Sequence, residues 1–451
     1  MRRFLMAALV GGLALMGGSR AFAQAQPTME TLNNGLRVAV VEDHRSPRVA
    51  INLCFTVGGM DEVGTKIGLA HAFEHIWFKS SQAVRDMGGY SSIISKLGGS
   101  NNAHTQMDRT CYTASIGTTG LEKVLWLYGE TWKHLKLDDA MFQLERGAII
   151  QERRMRLDNT SSGAFQEALS ALFYGNHPYG RSLIGSMDEI NGWVLSDLTA
   201  WFASHYAPSN AVLTLAGDVT QAEATAIAQR QFGDIADYAV VHSNDHIVEP
   251  APTEAKVLPT MSHPQQRYAQ MVRYYRAPGA FTAVGRTDGG SIATATALDA
   301  AAGMLDEYLY ITLAMEKHLT VSVGAGYSGD KRYEGSFQVW AVPAPGVPPE
   351  MVENAINEAI TAWLNGDGLT IEKLELYTMG VKTRVTFGED SVSNVAGYVG
   401  DWLSIGGTPA NINQWVAEMD TLTLDKVKAA AHDVLQLKNS TTGWLLPAQA
   451  Q

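Results

Sequence analysis

Residues 67–79, Ile-Gly-Leu-Ala-His-Ala-Phe-Glu-His-Ile-Trp-Phe-Lys, put two histidines four positions apart with a glutamate between them. An α-helix turns once in about 3.6 residues, so His71, Glu74 and His75 share one face. Leu69, Phe73, Ile76 and Phe78 show that much of the same helix is buried. The segment therefore reads as a helix lodged in a core, with one polar face held open. Two imidazole nitrogens a turn apart can hold one metal ion, and the neighbouring carboxylate can take a proton from water at that ion. An ordinary amphipathic helix accounts for the same residues, so the choice turns on the rest of the chain.

The N-terminus reads Met-Arg-Arg, an apolar run from Phe4 to Met16, and Ala21-Phe22-Ala23. That is the form of a secretory signal over residues 1–23, with cleavage before Gln24; an uncleaved anchor is the alternative. The run is too short and glycine-rich for a comfortable membrane span, and no later stretch approaches one in length. The expectation is a soluble chain exported to a periplasm or secreted. Removing 23 residues from 451 leaves 428, enough for two domains of roughly 200 residues.

Composition narrows the partners. The hydrophobic content of 46% with 18% charged residues is that of a well-packed globular protein. The formal charge of −12 becomes −15 without Arg2, Arg3 and Arg20, which argues against nucleic acid or anionic lipid. The only cysteines, Cys54 and Cys111, both lie in strand-like runs. Export permits a bond between them, but buried free thiols are the favoured reading.

Along the chain, Gly35–Glu42 and Val49–Val57 read as strands. After Gly98-Gly99, residues 100–115 read as a loop feeding an extended strand. Helical spacing follows over 121–135 and 138–157. Glu145 and Glu152 on the second of these are two turns apart, on one face; a solvated charged face is the ordinary explanation. A helix near 197–206, a turn at Pro208, a strand over 211–215 and a helix to Phe232 end the first half. Residues 236–260, with three prolines and no periodicity, read as a linker. The second half repeats the plan weakly at an offset of 229 residues, setting Leu198 on Val427, Phe202 on Ala431 and Asn210 on Asn439. It holds no H-x-x-E-H.

Together these motifs resemble the pitrilysin and insulinase (M16) family of zinc peptidases, in the two-domain branch that includes the mitochondrial processing peptidase. The resemblance covers nearly all of the chain after the signal and is strongest over about 30–235. It rests on Gly68 through Lys79, on Gly98-Gly99 with Asn102-Ala103, Thr105 and Tyr112, and on Glu145-Arg146 through Glu152. His177-Pro178-Tyr179-Gly180 and Tyr206-Ala207-Pro208-Ser209-Asn210 also fit. H-x-x-E-H is an inverted zinc-hydrolase motif, and in the family the third ligand is a glutamate about 77 positions after the second histidine. Here that position is Glu152.

The resemblance implies an α+β fold of two similar domains, 24–235 with the metal and 261–451 without it. Each is a mostly antiparallel sheet covered by helices on one face, and together they form half of a clamshell. It implies one zinc ion per chain held by His71, His75 and Glu152, Glu74 as general base, and Glu145 supporting the site from behind. Substrate peptides would add as a strand along the segment holding Asn102 and Ala103, which a structural turn would explain almost as well. His104, His134, His177 and His205 are then structural or exposed. A catalytically silent peptide-binding subunit and a metal hydrolase of another bond are the competing readings.

One part of the family pattern is missing. An arginine and a tyrosine seven positions apart in the second domain usually hold substrate, but Met315 and Ser322 stand in their places. Arg267 and Tyr274 have the interval but lie too early in the domain. The expectation is a heterodimer in which a homologous subunit supplies that pair, in preference to a homodimer.

Overall fold

The computed structural model describes residues 27–242, 254–281, 291–388 and 390–448. The signal over 1–23 and the linker residues 243–253 lie outside these. Two six-stranded sheets dominate. The first comprises β1 (Thr28–Thr31), β2 (Arg37–Glu42), β3 (Arg48–Phe55), β4 (Ser100–Thr105), β5 (Thr110–Gly117) and β6 (Ala211–Gly217), in the order β1-β2-β6-β3-β5-β4. Only β2 and β6 run parallel; every other pairing is antiparallel, and β4 is an edge. The second comprises β7 (Lys256–Val257), β8 (Met261–His263), β9 (Gln270–Ala277), β10 (Thr320–Ser328), β11 (Gly335–Pro343) and β12 (Ser440–Pro447). Its order is β10-β11-β9-β12-β7, with β8 also on β12.

Alternation along the strands sorts the core. From β3, Val49, Ile51, Leu53 and Phe55 enter the main core of the first half, together with Leu69, Phe73, Ile76 and Trp77 of the helix Leu69–Trp77. The intervening Ala50 and Cys54 point to the other face. There they meet Val395, Ala396, Val399 and Leu403 of the helix Val392–Ser404, which belongs to the second half. The arrangement is reciprocal: Phe165 and Leu169 of the helix Ser161–Tyr174 pack on Val272 and Leu445 of the second sheet. Each sheet thus carries its own helices on one face and borrows a helix from the other half on the second. At about 25 cal/mol per Å² of apolar surface removed from water, such shared layers bind the halves strongly.

The architecture is the expected α+β pair of sheets, and the internal repeat is visible in it. The helix Leu195–His205, the turn Pro208–Asn210 and β6 recur as Leu424–Val434, Leu437–Asn439 and β12, each beginning 229 positions later. Three details differ from the sequence reading. Residues 100–105 are a strand, their polar side chains being tolerated because the edge faces open space. Lys256 and Val257, read as linker, pair with Thr441 and Thr442. Cys54 and Cys111 are not free thiols: they face each other across β3 and β5 and form a disulfide.

Candidate metal centre

The helix Leu69–Trp77 is started by two devices. Gly68 has φ of +90°, and a Cβ there would lie 2.5 Å from the Ile184 carbonyl oxygen, so only glycine fits. The buried carboxyl group of Glu62 accepts hydrogen bonds from the backbone N–H groups of Gly68 (2.9 Å) and Ala70 (2.8 Å), satisfying donors the first turn leaves open. Leu69, Ala70, Ala72, Phe73, Ile76 and Trp77 are buried. His71, Glu74 and His75 remain half-buried on a cavity of about 1040 Å³.

A second helix, Asp139–Arg153, crosses beside it, with Asp138 accepting from the Met141 N–H at its start. Glu145 and Glu152 both face the first helix rather than solvent: their side chains are only 3% and 13% exposed. Glu152 Oε2 lies 3.5 Å from His71 Nε2 and 3.2 Å from His75 Nε2. Donors held about 2.0–2.1 Å from a tetrahedral ion are separated by roughly 3.4 Å, so Glu152 Oε2 stands at ligand spacing from both imidazole nitrogens. Among the described residues, His71, His75 and Glu152 form one of two groups whose donor atoms all lie within 4.8 Å of one another. Three carboxylates, Glu74, Glu145 and Glu152, gather around two imidazoles, with Lys79 against Glu145 and Arg156 against Glu152.

The surroundings fix each group. Burial, then the neighbouring His75, pushes His71 down to about 4, which keeps it neutral and able to donate a lone pair. Burial also opposes the charged form of His75, but Glu145, Glu152 and Glu74 together carry it above its usual value. Glu145 Oε2 stands 3.7 Å from His75 Nδ1, and Lys79 pairs closely with Oε1. Burial works to raise the Glu145 carboxyl, yet His75 and Lys79 hold it below the ordinary range. Glu74 is raised by burial, partly offset by the Thr105 hydroxyl, which donates to Oε2 at 2.5 Å. The helix continues past Arg153 as a π-helical turn, Arg154–Asp158, from which Arg156 reaches Glu152 Oε1 at 2.8 Å.

Of the residues singled out from sequence, His71, Glu74, His75 and Glu152 line this cavity, and Glu145 stands behind His75. Asn102 and Ala103 are on β4 at its wall, and His104 follows them there. His134 is exposed against Glu130, while His177 and His205 are buried. Met315 and Ser322 sit on the π-helical turn Tyr310–Glu316 and on β10, with Met315 58% exposed. The sequence reading missed several supporting groups. Lys79 and Arg156 were findable, each four positions beyond a ligand on the same helical face. Thr105 and Glu62 carry no local signal of their roles, since each acts across a loop.

Comparison with known proteins identifies the family. The family described as Insulinase (Peptidase family M16) matches residues 37–187, and the Peptidase M16 inactive domain matches residues 193–376. Zinc protease PqqE of Helicobacter pylori is 26% identical over 458 residues, covering 96% of each chain. The mitochondrial-processing peptidase subunit beta of Bos taurus is 28% identical over 242 residues, 51% of this chain and 49% of that protein. The crystal structure of a protease from Helicobacter pylori superposes with a TM-score of 0.84 at 25% identity, covering 93% of this chain and 99% of that one.

Proposed function

The chain belongs to the M16 peptidase family, and on that premise we propose that it is an exported zinc metalloendopeptidase acting on unfolded peptides. The observation that carries the proposal is the meeting of His71, His75 and Glu152 at ligand spacing beside Glu74, inside a cavity bordered by a free sheet edge. Zinc, when held there, supplies Lewis acidity that polarises the peptide carbonyl and acidifies water. Glu74 accepts the proton of the attacking water and returns it to the leaving amine nitrogen. Thr105 holds one Glu74 oxygen, leaving the other for that proton. Glu145 and Lys79 orient the His75 ring from behind, and Arg156 steadies the far oxygen of Glu152.

Substrate adds as a strand to β4, whose outer backbone groups have no neighbouring strand among the described residues, and Asn102 and Ala103 lie along it. Export is supported by the form of residues 1–23. The lack of an arginine and tyrosine at Met315 and Ser322 supports a homologous partner subunit that supplies them.

The test is cleavage of quenched, unfolded peptides by the purified chain, alone and with such a homologue, alongside metal analysis. One zinc per chain and cleavage abolished by a chelator and restored by zinc are expected. Chelator-resistant cleavage, or none in either mixture with zinc bound, contradicts the proposal.

A further inference from the structure

The disulfide lies on the opposite face of the first sheet from the helix Leu69–Trp77, and its surroundings are unlike the rest of that layer. Most of the layer is apolar, built from Val212, Ala216, Val395, Ala396, Val399 and Leu403. A disulfide would gain nothing from a carboxylate, yet Asp401 of the helix Val392–Ser404 points one at both sulfurs. Its Oδ1 is 3.7 Å from Cys111 Sγ and 4.0 Å from Cys54 Sγ. Its other oxygen accepts from Arg109 at 3.0 Å, which orients the group. His104, in register with Cys111 on the adjoining strand, brings Nε2 to 3.6 Å from the same Oδ1.

We propose that Cys54, Cys111 and Asp401, with His104 as fourth ligand, form a second metal site for a thiophilic divalent cation such as zinc once the disulfide is reduced. The two sulfurs and the carboxylate oxygen already lie within 4.8 Å of one another. Two thiolates, a carboxylate and an imidazole are a donor set that zinc and cobalt accept. The charges balance: two thiolates and Asp401 are met by a dication and by Arg109, which is 2% exposed. Both cysteines are fully buried, but the Asp401 and His104 side chains are 25% and 37% exposed, which gives an ion a way in.

The chemistry needs an external two-electron reductant, such as a dithiol. A dithiol reduces the disulfide by thiol–disulfide exchange and becomes a disulfide itself, whereas a phosphine takes oxygen from water and becomes its oxide; either way two electrons and two protons pass to the cysteines. Ion binding then displaces both thiol protons. The consequence is structural. The disulfide joins two strands of one sheet, whereas the ion would tie that sheet to a helix of the second half.

Cobalt(II) tests this on the full chain. The chain is reduced by a phosphine without oxygen, and reduction is verified by counting two thiols after unfolding. The reduced chain is expected to bind one more cobalt than the oxidised chain, with a thiolate-to-cobalt charge-transfer absorption that the oxidised chain lacks. His71, His75 and Glu152 contain no sulfur, so this band reports the second site whatever becomes of the peptidase proposal. Asp401→Asn should weaken the extra binding by about tenfold or more, and His104→Ala by less. Neither should change the oxidised chain's metal content. Two free thiols without the band, a band insensitive to Asp401→Asn, or a folded chain whose disulfide resists reduction would each overturn the proposal.

Discussion

The two halves use one scaffold for opposite ends. Positions 229 residues after His71, Glu74 and His75 are Ala300, Gly303 and Met304, all within the helix Ile292–Leu309. Those after Glu145 and Glu152 are Leu374 and Val381, the two buried residues of the helix Ile371–Gly388. Each of these five ionisable residues of the candidate metal centre is thus matched by an apolar or small residue. The space is closed as well. A Cβ on Gly303 would come within 2.2 Å of the Tyr377 ring, whereas the residue equivalent to Tyr377 in the first half is Ala148, on the cavity wall. Beside Val381 in the second half lies a cavity of about 360 Å³, against about 1040 Å³ at the equivalent place in the first. A helix pair can pack dry, or it can hold converging carboxylates that need a cation, and the two choices exclude one another at the same positions.

That contrast can be broken by substitution. His75→Ala should remove bound zinc and lower cleavage by about 10³-fold or more, since several kcal/mol of transition-state stabilisation go with the ion. Metal analysis and peptide turnover measure both, and retention of zinc would mean that His75 is not a ligand. Met304→Ala, at the equivalent place, should instead cost about 2–5 kcal/mol of stability and leave zinc content unchanged. Denaturant unfolding checks it; a change in metal content would contradict independent roles for the two helices. Glu145→Gln should weaken zinc affinity by about 10–100-fold through the loss of support behind His75, read by competition with a chelator.

The smallest effect concerns the start of the helix that carries His71, Glu74 and His75. Burial pushes Glu62 up to about 8, against the pull of the N–H groups of Ala70 and Gly68. Between about pH 4.5 and about 8 the folded chain then holds a proton that the unfolded chain has released. The stability this lends is complete at the acid end and is lost as pH rises through about 8. Glu62→Gln should flatten the fall of the thermal midpoint across that range. An unchanged slope would show that Glu62 stays ionised in the fold.

Much of the first half was legible because its signals are local or evenly spaced. Helical periodicity brings His71 to His75, and two helical turns bring Glu145 to Glu152, though nothing local says that the two helices meet. The strand over 100–105 was hidden because an edge tolerates Ser-Asn-Asn, which reads as a turn. The disulfide was missed because strand register, which sets Cys54 against Cys111, is a property of the whole sheet. The interlock of the halves has no local signature at all: Asn52 donates to the Ala396 carbonyl across 344 residues of chain. The contacts of Thr105 and Asp401 belong to the same class, made by tertiary packing between segments that give no sign of one another.

The central claim is that one helix face binds the ion and performs the proton transfer through separate residues. Zinc content and peptide turnover measured together on Glu74→Gln test it most directly. A full equivalent of zinc with cleavage reduced by about 10²–10⁴-fold is the result this account predicts. Substantial cleavage by the zinc-loaded variant would contradict it.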